Sequence, residues 1–219
     1  MAEKLKQGDK LPPLTLHLTD GSTLELPAGL PGRYLALLSY RGHWCPYCRR
    51  QLASYQAHLD ELTELGVTVV AMAGDIQEQA QELIANLGLT YPVAYGLTDA
   101  DLAEFGPWFG DDNHGHYTQP MELLVLRGGT IFGAMYASGP IGRMGVDEVL
   151  NAVRGRDRRR LEQATTPASE QDSMRNGLRK ALQREDKTRK VREMPKHGRS
   201  LIHILNAITK RAQQHKTAP

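Results

Sequence analysis

Apolar and polar residues alternate through positions 14–26, LTLHLTDGSTLEL, on both sides of Asp20-Gly21. That dipeptide favours a tight turn with positive φ, so the spacing predicts a β-hairpin. Pro31-Gly32 opens a nearly all-apolar run from Tyr34 to Ser39. The run is short and has polar boundaries, which predicts a strand buried on both faces. From Arg49 the period changes. Leu52, Tyr55, Leu59, Leu62 and Leu65 share one face of a helix that Gly66 ends. Val67 to Met72, apolar and β-branched, predicts a second interior strand. Asp75 is placed to cap a helix in which Ala80, Leu83, Ile84 and Leu87 share a face before Gly88.

Tyr91 to Tyr95 reads as a short strand, and Asp99 starts a short helix through Phe105. Residues 106–119, GPWFGDDNHGHYTQ, are rich in Gly and Asp and read as a loop. Met121 to Leu126 and Thr130 to Tyr136 flank Arg127-Gly128-Gly129, a second hairpin. Val146, Val149, Leu150 and Val153 mark a helix that runs towards a basic segment. Strands alternating with helices imply a right-handed β-α-β core, and the closing hairpin makes the sheet mixed.

The remainder differs in character. Leu161 to Asp172 has linker composition, and Met174, Leu178, Ala181 and Leu182 give a weak amphipathic helix. Ser200 can cap a last helix with Leu201, Ile204, Leu205, Ile208 and Ala212 on one face. That stripe must bury against the body of the protein or a second copy, the latter giving a homodimer.

Charge sharpens this division. The 219-residue chain has a formal net charge of +2. Residues 1–153 hold 9 Lys/Arg and 18 Asp/Glu, a balance of −9, whereas residues 154–219 hold 18 and 7, a balance of +11. The expected organisation is a folded domain over 1–154 and a basic, partly helical extension over 155–219. No aromatic follows Tyr136, so the extension lacks base-stacking platforms, which weighs against nucleic-acid binding. No apolar run is long enough to span a membrane, and the N-terminus lacks a signal-peptide core. The expected location is the cytoplasm, where structural disulfides are rare.

Both cysteines of the chain lie in Ser39–Arg50, SYRGHWCPYCRR. A C-x-x-C that follows a buried strand and opens a helix puts Cys45 at the helix N-terminus. There, free N–H groups and the helix dipole favour a thiolate. Cys48 lies one turn on, within disulfide reach. Arg41, Arg49 and Arg50 add positive potential, Pro46 suits the first helical turn, and Trp44 and Tyr47 can shield the site. Two other readings compete. His43, Cys45 and Cys48, with His114 or His116, could ligate zinc, although the His-x-His spacing is not a familiar zinc pair. Alternatively, the two thiols are inert and buried. His43 either hydrogen-bonds the thiolate or a substrate oxygen, or is a solvated turn residue.

WCPYC after a strand resembles the thioredoxin superfamily, and CPYC is the tetrapeptide of glutaredoxins. The surroundings more closely resemble the peroxiredoxin-like branch, the alkyl hydroperoxide reductase C/thiol-specific antioxidant (AhpC/TSA) group. The opening hairpin with GDKLPPLTL, the stretch YRGHWCPYCRRQL, VTVVAMAGD and QPMELLVLRGGTIFGAMY carry the resemblance across about residues 5–153. It implies an α/β thioredoxin-like fold, with a central mixed sheet flanked by helices and an N-terminal β-hairpin.

The resemblance also implies a thiol peroxidase without a prosthetic cofactor. Cys45 would attack a peroxide and become a sulfenic acid. Cys48 would condense with it, and a thioredoxin- or glutaredoxin-type protein or a small thiol would reduce the resulting disulfide. A thiol–disulfide oxidoreductase using the same two residues is one alternative. A non-catalytic redox sensor acting through the basic tail is another. Peroxiredoxins commonly carry a Thr or Ser three residues before the reactive cysteine and a proline four before that; here those positions are Gly42 and Leu38. Without the hydroxyl, backbone N–H groups, His43 or an arginine must stabilise the departing oxygen, with Arg143 or Arg41 as candidates. Pro120, just before a strand, corresponds to the cis-proline of thioredoxin folds and is expected to be cis.

Overall fold

The computed structural model describes residues 3–30, 32–165 and 179–180. In chain order it contains β1 (Leu14–Leu18), β2 (Thr23–Leu26), β3 (Tyr34–Ser39), α1 (Pro46–Ala57), α2 (Leu59–Glu64), β4 (Val67–Met72), α3 (Gln77–Leu87) and β5 (Val93–Tyr95). There follow β6 (Phe109–Asp112), β7 (Gly115–Thr118), β8 (Met121–Leu126), β9 (Ile131–Tyr136) and α4 (Val146–Thr165), with a single 3-10 turn at Ala103–Phe105.

Seven strands form one mixed sheet in the order β2-β1-β5-β4-β3-β8-β9. β3 pairs with β4 in parallel and with β8 antiparallel, so it is central and all six of its residues are buried. Its alternation divides the core. Ala36 and Leu38, with Tyr40 beyond the strand, join a cluster containing both cysteines, Leu52, Tyr55, Ala80 and Val149. Leu35 and Leu37 point the other way, to Leu16, Met72, Phe105 and Met121. The hairpin β1–β2 extends the sheet by antiparallel pairing with β5.

The observed fold is the expected mixed sheet with flanking helices and an N-terminal hairpin. Six local expectations differ. In place of the helix expected from Asp99 through Phe105 there is only the 3-10 turn at Ala103–Phe105, ended by Gly106 in the left-handed region. The helix expected through Leu65 breaks at His58. Its ring Nδ1 lies 2.9 Å from the Ser54 carbonyl oxygen, the acceptor that an unbroken helix would give to the His58 N–H. That N–H instead donates to Tyr55 O. Asp75 does not cap α3. Ile76 occupies the N-cap, and the Asp75 carboxylate is turned inward to His43.

The fourth difference is at residues 106–119. This segment holds a two-stranded ribbon, β6–β7, whose largely exposed residues carry no apolar alternation that would mark strands. Fifth, the Gln119–Pro120 bond is trans; the cis bond in the described residues is Leu26–Pro27. The Gln119 N–H donates to Trp108 O at 2.8 Å and Pro120 O accepts from the Ala137 N–H at 2.9 Å, so the backbone on both sides of this bond is tied to its neighbours. Sixth, α4 runs through Thr165, beyond the expected start of the linker at Leu161. Compact packing divides the chain at Asp157/Arg158, inside α4. The amphipathic stretches expected around Met174–Leu182 and after Ser200 lie outside the described residues, apart from 179–180.

Candidate active site

β3 ends at Ser39, and the chain turns through Tyr40–Trp44 into α1. Cys45 is the α1 N-cap with extended backbone, and Pro46 occupies the first helical turn. Cys48 is one turn on, and both sulfurs are free thiols in the core. The Cys48 thiol and its backbone N–H donate to the Cys45 sulfur, and Arg143 and Arg41 supply positive charge nearby. Together these lower the Cys45 pKa to about 5 against the opposing effect of burial. The Cys48 pKa moves strongly upward, because its proton is committed to Cys45 and its sulfur is buried. Both shifts favour ionisation at Cys45 over Cys48.

Arg143 and Arg41 both reach the site, from segments far apart in the sequence. Arg143 Nη2 donates to Cys48 Sγ at 3.2 Å, and the Arg41 backbone N–H donates to the same sulfur at 3.4 Å. The Arg143 loop is braced from beneath. Glu122 on β8, 1% exposed, accepts from Gln51 Nε2 at 2.8 Å and from the Met144 N–H. Gln51 Nε2 and the Tyr55 hydroxyl each donate to Met144 O at 3.1 Å. Burial raises the Glu122 pKa, while these donors and Arg143 favour its charge.

The Arg41 guanidinium turns to the ribbon. It donates to the Tyr117 hydroxyl and lies 3.5 Å from Asp112 Oδ2, and Tyr117 in turn donates to Asp112 at 2.8 Å. Trp44 stacks on His114 with ring centroids 3.9 Å apart, and Tyr117 meets it edge-on at 5.2 Å. The ribbon thus packs on the residues that lead into Cys45. Trp44 also explains Gly42: a Cβ there would stand 2.5 Å from Trp44 Nε1.

The sequence-derived candidates separate into groups. Cys45, Cys48, Arg41 and Arg143 converge, and Gly42 and Trp44 pack together beside them. Tyr47, 39% exposed with Arg50 over its ring, lies on the rim of a groove of about 320 Å³ that Ser54, Tyr55, Ile141 and Arg143 also line. The hydrogen bonds of His43 go to Asp75 and not to a cysteine: its N–H donates to Asp75 Oδ2 at 2.8 Å, and its Nδ1 lies 3.1 Å from Asp75 Oδ1. Of the proposed zinc ligands, His114 is stacked on Trp44, and His116 is paired with Asp99 and Asp111. Among the described residues, no group of three His, Cys, Asp or Glu side chains is disposed to hold a metal ion.

Several participants escape sequence reasoning. Glu122 had a signal, as an acidic residue inside an apolar strand. Gln51, Tyr117 and Asp112 had none, because their partners are distant in sequence. No described helix is long and apolar enough to cross a membrane.

Comparison with known proteins agrees with this architecture. The Redoxin family model matches residues 6–118, just over half of the chain. A peroxiredoxin of Methanothermobacter marburgensis is 32% identical over 68 residues, 31% of this chain and 32% of the relative, so the match spans about a third of that protein's length. Among solved structures, the peroxidoxin BcpB of Mycobacterium tuberculosis superposes with a TM-score of 0.59 at 15% identity, covering 69% of this chain and 97% of that one. A peroxiredoxin-like protein from Aquifex aeolicus gives 0.61 at 15% identity over 70% and 89%. Mycobacterium tuberculosis AhpC gives 0.58 at 18% identity over 77% and 99%. At these identities the superpositions speak to the fold alone.

Proposed function

From the premise that the chain belongs to the Redoxin family, we propose that it is a thiol-dependent peroxidase reducing hydrogen peroxide or organic hydroperoxides. The observation that carries this reading is the geometry of the dithiol: Cys45 is the N-cap of α1, Cys48 lies one turn on, and Arg143 and the Arg41 N–H both donate to the Cys48 sulfur. The Cys45 thiolate attacks the distal peroxide oxygen, the O–O bond breaks, and the leaving alkoxide or hydroxide takes a proton. Cys48 then attacks the sulfenic sulfur, expelling water and forming the Cys45–Cys48 disulfide. A dithiol protein of the thioredoxin or glutaredoxin type, or a small thiol, returns both sulfurs to the reduced state by exchange.

Support for charge stabilisation comes from Arg143. Its Nε and Nη1 are buried and have no acceptor among the described residues, so two donors remain for an oxygen that gains charge. No prosthetic group enters the chemistry.

One observation favours a second reading, a thiol–disulfide oxidoreductase. The place where peroxiredoxins carry a hydroxyl is Gly42, and the Trp44 indole fills the space that its side chain would need. The same two cysteines would then resolve mixed disulfides.

The deciding experiment gives the reduced protein hydrogen peroxide or an organic hydroperoxide, and separately a glutathione mixed disulfide. Reductant consumption is followed for the native protein, Cys45→Ser and Cys48→Ser. The peroxidase reading expects faster peroxide turnover that Cys45→Ser abolishes. Faster turnover of the mixed disulfide establishes the second reading, and peroxide consumption by Cys45→Ser at the native rate refutes the first.

A further inference from the structure

Glu122 is an acidic residue inside the apolar strand β8, between Met121 and Leu123, and is 1% exposed. Burying a carboxylate carries an energetic cost that leucine at the same position would avoid. Donors satisfy both of its oxygens. Oε1 accepts from Gln51 Nε2 at 2.8 Å, and Oε2 accepts from the Met144 N–H. Both donors are uncharged amides, so what this carboxylate secures is the position of the Met144 peptide.

Met144 is gripped on its other side as well. Gln51 Nε2 and the Tyr55 hydroxyl each donate to Met144 O at 3.1 Å. Arg143 immediately precedes this anchored residue. The local backbone has little stiffness of its own: Gly142 has a φ of 90°, and Gly145 follows Met144. The Met144 N–H lies in the same rigid peptide plane as the Arg143 carbonyl and Cα, so fixing it fixes where the Arg143 side chain starts. From there Arg143 Nη2 reaches Cys48 Sγ at 3.2 Å.

That contact bears on the opening of the Cys45–Cys48 disulfide. An incoming thiolate attacks Cys45 Sγ and forms a mixed disulfide. The S–S bond breaks, and its electron pair goes to Cys48 Sγ. Two donors meet the charge on that sulfur, the Arg41 backbone N–H at 3.4 Å and the Arg143 guanidinium. The first is held by the main chain. The second stands at the end of a long side chain on a loop with a glycine on either side, so it is the donor that depends on a brace.

We propose that Glu122 is a positioning residue for this step: through the Met144 N–H it holds Arg143 on the Cys48 sulfur, where the guanidinium stabilises the departing thiolate. This rests on the redox-dithiol reading, but not on peroxide being the oxidant. Glu122 acts on the sulfur through Met144 and Arg143, and the sign of its effect distinguishes this from action as a bare charge. A negative charge by itself disfavours negative charge on a nearby sulfur, so its removal would speed opening. Loss of a positioning residue slows it.

The test uses full-length protein whose disulfide is made with diamide. Opening by dithiothreitol is followed in stopped flow at one mildly alkaline pH. Arg143→Gln should slow opening about tenfold or more, a modest share of what a preorganised donor supplies. Glu122→Leu should slow it by about three- to tenfold, by displacing the same donor. Glu122→Gln keeps one acceptor oxygen for the Met144 N–H and should fall between Glu122→Leu and the native protein. In the Arg143→Gln background, Glu122→Leu should change the rate by less than about twofold, because the group it positions is gone.

Unfolding midpoints are measured beside the rates. A merely structural role would slow opening equally with and without Arg143, and that result would overturn the proposal. Opening at the native rate or faster in Glu122→Leu would also overturn it. If Glu122→Leu does not fold, Glu122→Gln, which has the same shape, carries the same comparison. A protein that ignores peroxide yet shows this dependence on Glu122 and Arg143 refutes the peroxidase reading alone. One that reduces peroxide but opens at the native rate without Glu122 refutes the positioning role alone.

Discussion

Gly42 and Trp44 exclude any larger side chain at position 42, and the exclusion can be measured. A Cβ at 42 would stand 2.5 Å from Trp44 Nε1, 3.0 Å from Cδ1 and 3.1 Å from Cε2. The indole cannot yield freely, because His114 is stacked on it at 3.9 Å and the Arg41 guanidinium lies 4.8 Å from its centre. Overpacking of this kind costs about 1–3 kcal/mol, and a disturbed aromatic stack adds about 0.5–1.5 kcal/mol. Gly42→Thr should therefore destabilise the protein by about 2–4 kcal/mol. Trp44→Ala opens the space, so the double variant should be more stable than the sum of the single effects by about 1–3 kcal/mol. Denaturant unfolding of all four proteins gives the coupling energy. A coupling within about 0.5 kcal/mol of zero, the range of independent sites, would refute the argument that Trp44 keeps a side chain from position 42. The same four proteins address chemistry: if the missing hydroxyl limits peroxide reduction, Gly42→Thr/Trp44→Ala should exceed Trp44→Ala in peroxide turnover.

Cys45, with its pKa lowered to about 5, should alkylate with iodoacetamide at a rate that falls only as pH drops through that value; a midpoint near an ordinary thiol's would be inconsistent with the described site. Arg143→Gln removes a cation acting on Cys45 and a donor to Cys48, so the midpoint should rise, and a rise of about one pKa unit, about 1.4 kcal/mol, should slow alkylation at pH 5 about fivefold. The depressed Cys45 pKa also links folding to pH. Between about pH 5 and 9 the unfolded thiol holds a proton that the native thiolate lacks, so stability should rise with pH by at most about 1.4 kcal/mol per unit. Cys45→Ser should flatten that slope, as read from urea midpoints; an unchanged slope counts against the thiolate. Above about pH 9 the upward shift of Cys48 works in the opposite sense, because the unfolded thiol then ionises first. Cys48→Ser should let the Cys45 sulfenic acid accumulate under peroxide, visible as a dicarbonyl-probe adduct by mass spectrometry. No adduct in that variant would refute the proposed order of attack.

What the sequence discloses depends on the range of the interaction that fixes each feature. The β1–β2 hairpin, the β3 strand and the helix-start dithiol follow from local signals: alternation around Asp20-Gly21, an unbroken apolar run, and cysteines three apart. The helix break at His58 and the ribbon at 109–118 follow from particular side chains overriding pattern. One ring takes a carbonyl that the helix would use, and Arg41, Trp44, Tyr117 and Asp112 hold two strands that carry no apolar alternation. The rest of the site lies at a distance no window sees. Arg143 reaches Cys48 across 95 positions, Arg41 reaches Tyr117 across 76 and Gln51 reaches Glu122 across 71.

That distribution bears on how the dithiol is tuned. The N-cap position alone would favour a thiolate at Cys45, but it would not keep the proton on Cys48. The asymmetry between the two sulfurs needs the Cys48 thiol aimed at Cys45, and Cys48 is anchored by donors from two other segments, Arg41 N–H and Arg143 Nη2. Arg143 is in turn fixed through Met144 by Glu122, Gln51 and Tyr55. Two of those braces, Gln51 and Tyr55, lie on α1, the helix that carries Cys48. Movement of α1 that exposes Cys45 to a substrate would therefore also loosen the hold on Arg143, so access to the nucleophile and the charge that activates it are physically coupled.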